Sequence, residues 1–203
     1  MSILKRFKER YGTGDIPWDA GKPDFNLINI VTKRPIPNCR ALEIGCGTGD
    51  NTVWLSQQNF IVTGCDISEI AVEKAAQKAF KAKAECTFIV ADFLNQEIQG
   101  APFGFVFDRG CFHSYSANKE RTEFASNVAH HLKKDGLWLS IIGSADDQPR
   151  EVGPPRHTAR EIINAVEPYF EILSLASSHF GSNRLHPPKA WVCLLQKRKK
   201  HSD

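Results

Sequence analysis

The run Ala41-Leu42-Glu43-Ile44-Gly45-Cys46-Gly47-Thr48-Gly49-Asp50 constrains the fold more than any other stretch of the chain. An apolar strand carries one carboxylate near its end, then passes through three alternating glycines into a helical pattern. Glycine adopts positive φ without steric cost and lets the backbone approach a ligand closely. A strand, glycine turn and helix in this order belong to α/β proteins, which bind ligands at the carboxyl edge of a mostly parallel sheet. The rest of the chain keeps that rhythm. Apolar runs at 40–44, 60–65, 86–91, 103–107, 136–142, 170–176 and 190–196 predict seven strands. Helical patterns lie between them at 51–57, 68–83, 117–132 and 159–166. Thr158 and Glu161 form a capping box ahead of the last helix, and Phe124, Val128 and Leu132 make one buried stripe. No helical stretch separates the last two strands, so a hairpin with one antiparallel strand is expected there.

Composition narrows the class. A chain of 203 residues, 41% hydrophobic and 24% charged, reads as one globular domain burying roughly 70% of its unfolded surface. The 26 Lys and Arg exceed the 23 Asp and Glu by too little to argue for nucleic acid, and Lys197, Arg198, Lys199 and Lys200 cluster in the tail. No apolar run approaches the roughly 18 residues of a membrane span. Residues 1–11 are basic but lack the apolar centre of a signal peptide. The six cysteines show neither a C-x-x-C pair nor zinc-like spacing, and predict reduced thiols in a cytoplasmic protein. Two Pro/Gly-rich loops, 12–23 and 146–155, are long enough to cover a site.

The acidic residues indicate what that site would hold. A dinucleotide fingerprint, G-x-G-x-x-G, would place its third glycine at position 50. Asp50 stands there instead, a poor neighbour for a pyrophosphate at a helix N-terminus. A carboxylate before G-x-G-x-G suits a ligand with a cationic end and no phosphate, the chemistry of S-adenosylmethionine. The second strand ends at Asp66, placed to accept both hydroxyls of a ribose. The third ends in Asp92 and Phe93, a carboxylate for an adenine amino group and a ring for its face. Asp66 and Asp92 could alternatively be helix caps or turn residues. Three successive strands delivering acid to one sheet edge favour a ligand site.

With these motifs the chain resembles the class I S-adenosylmethionine-dependent methyltransferases over most of its length, from Gly12 to about Val166. Leu132-Lys133-Lys134-Asp135-Gly136 looks like that family's usual approach to the fifth strand. The resemblance implies a Rossmann-like, seven-stranded, mostly parallel α/β sheet with an antiparallel C-terminal strand and helices on both faces. It implies S-adenosyl-L-methionine as cofactor, with Glu43, Gly45 and Gly47 around the methionine end, Asp66 and Ile67 at the ribose, and Asp92 and Phe93 near adenine. It also puts Asp108 on the cofactor side. After the fourth strand the chain reads Asp108-Arg109-Gly110-Cys111-Phe112-His113. This is neither an N-P-P-Y or D-P-P-Y motif for base amines nor a Pro-Cys motif for cytosine. Together with Ile16-Pro17-Trp18-Asp19-Ala20-Gly21-Lys22-Pro23 and Val152-Gly153-Pro154-Pro155, it resembles the thiopurine, thiocyanate, halide and thiol methyltransferases. In that group an N-terminal segment closes over the cofactor, a role that Ile3, Leu4, Phe7 and Tyr11 at helical spacing could assist.

The resulting organisation is a lid segment at 1–36, a methyltransferase domain at 37–196 and a basic tail at 197–203. The expected acceptor is a small molecule, with sulfur or a similar soft nucleophile favoured. Trp18 is expected to pack on the cofactor or to anchor its own loop. Arg109 is expected to act in catalysis by favouring the ionised acceptor, or else to pair with Asp108 or another carboxylate. His113 is a candidate general base or a hydrogen-bonded structural residue. Cys111 reads as an inert thiol, and His130 and His131 receive no role. A nicotinamide-dependent oxidoreductase and a non-catalytic cofactor-binding module are the alternatives at this point.

Overall fold

The computed structural model describes residues 3–34, 36–148 and 153–199. Val152 and the tail from Lys200 onward lie outside the described residues, as do the side chains of Ile3 and Leu4. Helices α1 (Ile3–Thr13) and α2 (Phe25–Lys33) precede an alternating series. That series runs β1 (Arg40–Ile44), α3 (Asp50–Gln57), β2 (Ile61–Asp66), α4 (Glu69–Ala82), β3 (Cys86–Val90) and β4 (Phe103–Arg109). It continues with α5 (Asn118–His131), β5 (Leu132–Gly143), α6 (Ala159–Val166), β6 (Phe170–His179) and β7 (Lys189–Lys197). One seven-stranded sheet results, in the order β3-β2-β1-β4-β5-β7-β6. Strands β1 to β5 are parallel, and β7 inserts antiparallel to both β5 and β6. The expected mostly parallel sheet and terminal hairpin are both present.

The central strands are buried on both faces, as a parallel sheet between helices requires. On one face Val106, Trp138 and Ile142 meet Phe124, Val128, Ile162 and Val166 from α5 and α6. On the other, Phe105, Phe107, Leu139 and Ile141 meet Leu27 and Val31 of α2 and Leu55 of α3. Alternation along β4 and β5 therefore feeds two cores. Phe103 joins the first despite its sequence parity because the register shifts between Phe103 and Phe105. Thr158 and Glu161 cap α6 reciprocally, as the sequence predicts.

Helix α2 is the largest departure from the sequence reading. Phe-Asn-Leu-Ile-Asn-Ile-Val is rich in β-branched residues and carries little helical signal. Asp24, whose side chain accepts the Asn26 amide, caps it, and burial of Leu27 and Val31 against the sheet outweighs propensity. Helix α2, within the 1–36 segment, thus belongs to the core of the sheet's second face. Among the described residues no helix is long and apolar enough to cross a membrane.

Candidate active site

The glycine turn closes the carboxyl end of β1. Gly45, Gly47 and Gly49 all have positive φ, at 68°, 54° and 87°. A Cβ at Gly47 would lie 2.9 Å from the Tyr11 hydroxyl, and one at Gly49 2.9 Å from the Ala75 Cβ. The second contact arises because Ala71, Ala75 and Ala79 form the buried stripe of α4 and let it approach the turn. Asp66, at the end of β2, reaches back and accepts the Gly47 amide through Oδ2 at 2.9 Å, while Oδ1 accepts the Ser68 amide at 2.9 Å. Burial raises its pKa, and these N–H bonds oppose the rise.

Glu43 lies below the turn and is 1% exposed. Its Oε1 accepts Asn51 Nδ2 at 2.9 Å and its Oε2 accepts the Thr52 hydroxyl. Burial pushes its pKa up to about 7 despite these bonds. Asp50, the acid that breaks the dinucleotide pattern, pairs with Lys78 at 2.7 Å. At the end of β3, Asp92 accepts the Leu94 amide and Asn95 Nδ2. Phe93 packs on Phe124 with centroids 5.0 Å apart. Glu43, Gly45, Gly47, Asp66, Ile67, Asp92 and Phe93 line one cavity of about 290 Å³. The turn-residue alternative for Asp92 holds as well, since the same carboxylate shapes its loop.

Trp18 lines the roof of this cavity, donating its indole N–H to the Tyr11 hydroxyl at 3.2 Å. Phe7 stacks edge-on against it at 5.4 Å. Gly153, Pro154 and Pro155 from the second long loop contribute one side. Phe180, Gly181, Ser182, Asn183 and Arg184, between β6 and β7, contribute another. The sequence reading missed this third cover and Tyr115, which also lines the cavity, whereas Phe7 and Tyr11 of the N-terminal helix line it as that reading allowed. The third cover's turn composition, Gly181-Ser182-Asn183, was the available signal, but a hairpin link gives no hint of where its tip folds.

Of the three remaining site residues, Arg109 and His113 lie on the cavity wall and Asp108 does not. Asp108 is completely buried and is absent from the cavity wall. Its carboxylate accepts Trp138 Nε1 at 2.9 Å and the amides of Phe112 and Cys111 at 3.0 and 3.2 Å. It organises the turn after β4, and burial raises its pKa to about 6. Arg109 borders the cavity, but its charge is paired with Asp24 at 2.7 Å. Two further donors go to backbone carbonyls, Nη1 to Trp18 at 3.1 Å and Nη2 to Gly181 at 2.5 Å. The guanidinium is thus not an unpaired cation offered to an anionic acceptor, and its partner is Asp24, not Asp108. His113 also lines the cavity, yet its Nδ1 accepts the Gly143 amide at 2.9 Å. The neutral ring then carries its proton on Nε2, so the lone pair a general base needs is already engaged. Cys111 fits the inert reading, because burial and Asp108 hold its thiol well above the ordinary range. His131 is a core residue accepting the Ile98 amide.

A family profile described as a methyltransferase domain matches residues 41–136. A probable thiol methyltransferase 2 from Arabidopsis thaliana is 30% identical over 151 residues, 73% of this chain and 65% of that protein. Thiocyanate methyltransferase 1 from Brassica oleracea is 32% identical over 149 residues, 72% and 64% of the two chains. The chain therefore spans slightly under two thirds of the length of these curated relatives. Among solved structures, one described by the conversion of a disulfide bond into a thioacetal group during echinomycin biosynthesis superimposes with a TM-score of 0.87. It is 20% identical, with 99% of this chain and 94% of that one covered. The 1,6-didemethyltoxoflavin-N1-methyltransferase of Burkholderia thailandensis, solved with S-adenosylhomocysteine, gives 0.79 at 16% identity, covering 97% and 88%. Domain match, relatives and sheet topology agree: residues 41–136 form a methyltransferase domain, carried on a seven-stranded sheet of Rossmann-like order.

Proposed function

We propose that this protein transfers a methyl group from S-adenosyl-L-methionine to a small-molecule acceptor, with thiols and similar soft nucleophiles as the favoured class. The observation that carries the reading is the acidic wall. Glu43, Asp66 and Asp92 line one cavity beneath a glycine turn, and Asp50 begins the helix that would otherwise receive a pyrophosphate. That arrangement favours a cationic, phosphate-free ligand over a nicotinamide dinucleotide. Glu43 with Gly45 and Gly47 would hold the methionine end. Asp66 and Ile67 would hold the ribose, since each carboxylate oxygen of Asp66 has a lone pair beyond the one its amide bond uses. Asp92 and Phe93 would hold the adenine, with Trp18 above.

When bound, the cofactor supplies an activated methyl on a sulfonium. The protein's part is alignment, which contributes up to roughly 7–11 kcal/mol in favourable cases, and exclusion of water by the three covers. Neither His113, with its lone pair engaged, nor Tyr115, whose hydroxyl pKa is pushed up by burial, is suited to accept a proton from the acceptor. An acceptor that arrives ionised, such as a thiolate or an inorganic anion, needs no such step. The named thiol and thiocyanate methyltransferases among the relatives point the same way. Six free cysteines suit a reducing compartment, and we place the protein in the cytoplasm.

The test is transfer of isotope-labelled methyl from S-adenosylmethionine to a panel of thiophenol, sulfide, thiocyanate, iodide and phenol. Label on sulfur is the expected result. Tight cofactor binding without transfer to any acceptor would support the scaffold alternative, and binding of NAD in place of S-adenosylmethionine would overturn the cofactor assignment.

A further inference from the structure

We infer that Arg109 is a positioning residue that ties two covers of the cavity, the segment around Trp18 and the β6–β7 loop at Gly181, into one unit that opens and closes together. Arg109 ends β4 in the centre of the sheet, and its side chain is 14% exposed. Its three nitrogens point to three parts of the chain. Nε donates to Asp24 Oδ2 at 2.7 Å, Nη1 to the Trp18 carbonyl at 3.1 Å and Nη2 to the Gly181 carbonyl at 2.5 Å. The Phe180 ring lies against the guanidinium, 5.3 Å from its carbon, and against His113 at 5.7 Å.

Asp24 closes the arrangement. The oxygen that receives Arg109 also accepts the Gly181 amide at 2.8 Å. Its Oδ1 caps α2 through the Asn26 amide, and its own amide donates to Asn51, which in turn holds Glu43. A second tie, Asn183 Nδ2 to the Ala20 carbonyl at 3.0 Å, joins the covers directly. Lifting the Trp18 segment alone would leave one guanidinium N–H and its charge partner in a distorted site, and lifting the β6–β7 loop alone would do the same. Strong, charge-assisted bonds sharing one planar fork make joint release the cheaper motion. Trp18 and Phe180 both line the cavity, so this joint motion would set acceptor access. The coupling is independent of the ligand, whereas its consequence for methyl transfer rests on the function proposed above.

The fork geometry is the discriminating feature. Lysine keeps the charge but is a point donor that cannot reach three directions at once. Hydrogen exchange of the full-length, ligand-free protein reads the covers through the Asp19 amide, bonded to Ile16, and the Gly181 amide, bonded to Asp24. Arg109→Lys and Arg109→Met are both expected to speed exchange in residues 16–22 and 181–186 by roughly tenfold or more, leaving β1, β4 and β5 unchanged. Asp24→Asn, which retains an oxygen to cap α2, should loosen both segments as well and serves if Arg109→Met does not fold. In wild type, S-adenosylhomocysteine should slow both segments by one factor, and in Arg109→Lys by two different factors. Acceleration of one segment only, of neither, or full protection in Arg109→Lys would overturn the coupling. Failure of S-adenosylhomocysteine to bind would count against the proposed function and leave the ligand-free comparison intact.

Discussion

Replacing Glu43 by Gln should stabilise the ligand-free protein and weaken its ligand binding, both in a pH-dependent way. Glu43 is buried, and its pKa is raised from 4.5 to about 7, with burial the leading cause and the Thr52 and Asn51 bonds opposing it. Below about pH 4.5 the carboxyl is protonated in folded and unfolded chains alike, so it costs nothing. As pH rises the unfolded chain ionises first, and stability falls until Glu43 ionises in the fold near pH 7. Beyond that the penalty is constant. At about 1.4 kcal/mol per pH unit it amounts to roughly 3 kcal/mol. The glutamine amide avoids it while keeping both neighbours satisfied. Its oxygen accepts Asn51 Nδ2, held in that orientation because Asn51 Oδ1 accepts the Asp24 amide, and its NH2 donates to the Thr52 hydroxyl. Urea or thermal unfolding of both proteins from about pH 5 to 8 reads the difference, and the other buried acids, Asp66 and Asp108, cancel in it. The variant should gain about 2–3 kcal/mol over wild type between those limits, or roughly 5–10 °C in Tm for a chain of this size. S-adenosylmethionine affinity should rise with pH through about 7 in wild type, where Glu43 ionises, and show no such rise in Glu43→Gln. A stability gap that does not change with pH, or a Gln variant less stable than wild type at the alkaline limit, would refute the reasoning.

Asp66→Ala should weaken S-adenosylmethionine binding by about 1.5–3 kcal/mol, the usual value of charge-assisted hydrogen bonds, as read by calorimetry; unchanged affinity in a folded variant would remove Asp66 from the site. Asp108→Ala, by contrast, is a stability variant. It strands the Trp138 indole and the Phe112 and Cys111 amides, and should cost roughly 3–5 kcal/mol in urea unfolding, with a loss under about 1 kcal/mol contradicting its assigned role. Removing residues 1–22 should leave the sheet folded, since every strand lies downstream, while cofactor affinity and turnover are lost; normal turnover would make Trp18 and its loop packing only.

The sheet, and the carboxylates along one of its edges, are legible in the residues alone. Seven apolar runs at strand length, with helical patterns between most of them, leave little choice but a mostly parallel sheet. The carboxylates at the ends of β1, β2 and β3 are then carried to one edge by the parallel strands themselves. Strand ends and alternation are local properties, so Glu43, Asp66 and Asp92 were legible together. What each side chain after β4 does depends on contacts made only in the folded chain. Asp108 and Arg109 are adjacent in sequence and point into different environments, one among buried donors and the other toward Asp24 and two carbonyls. Those partners are far away along the chain, and hydrogen-bond saturation cannot be read from residue type. The same limit applies to α2, where packing of Leu27 and Val31 overrides a strand-like composition, and to the Phe180–Arg184 cover. A loop's destination depends on long-range closure, here the meeting of Gly181 with Asp24, for which neither segment carries a local signal.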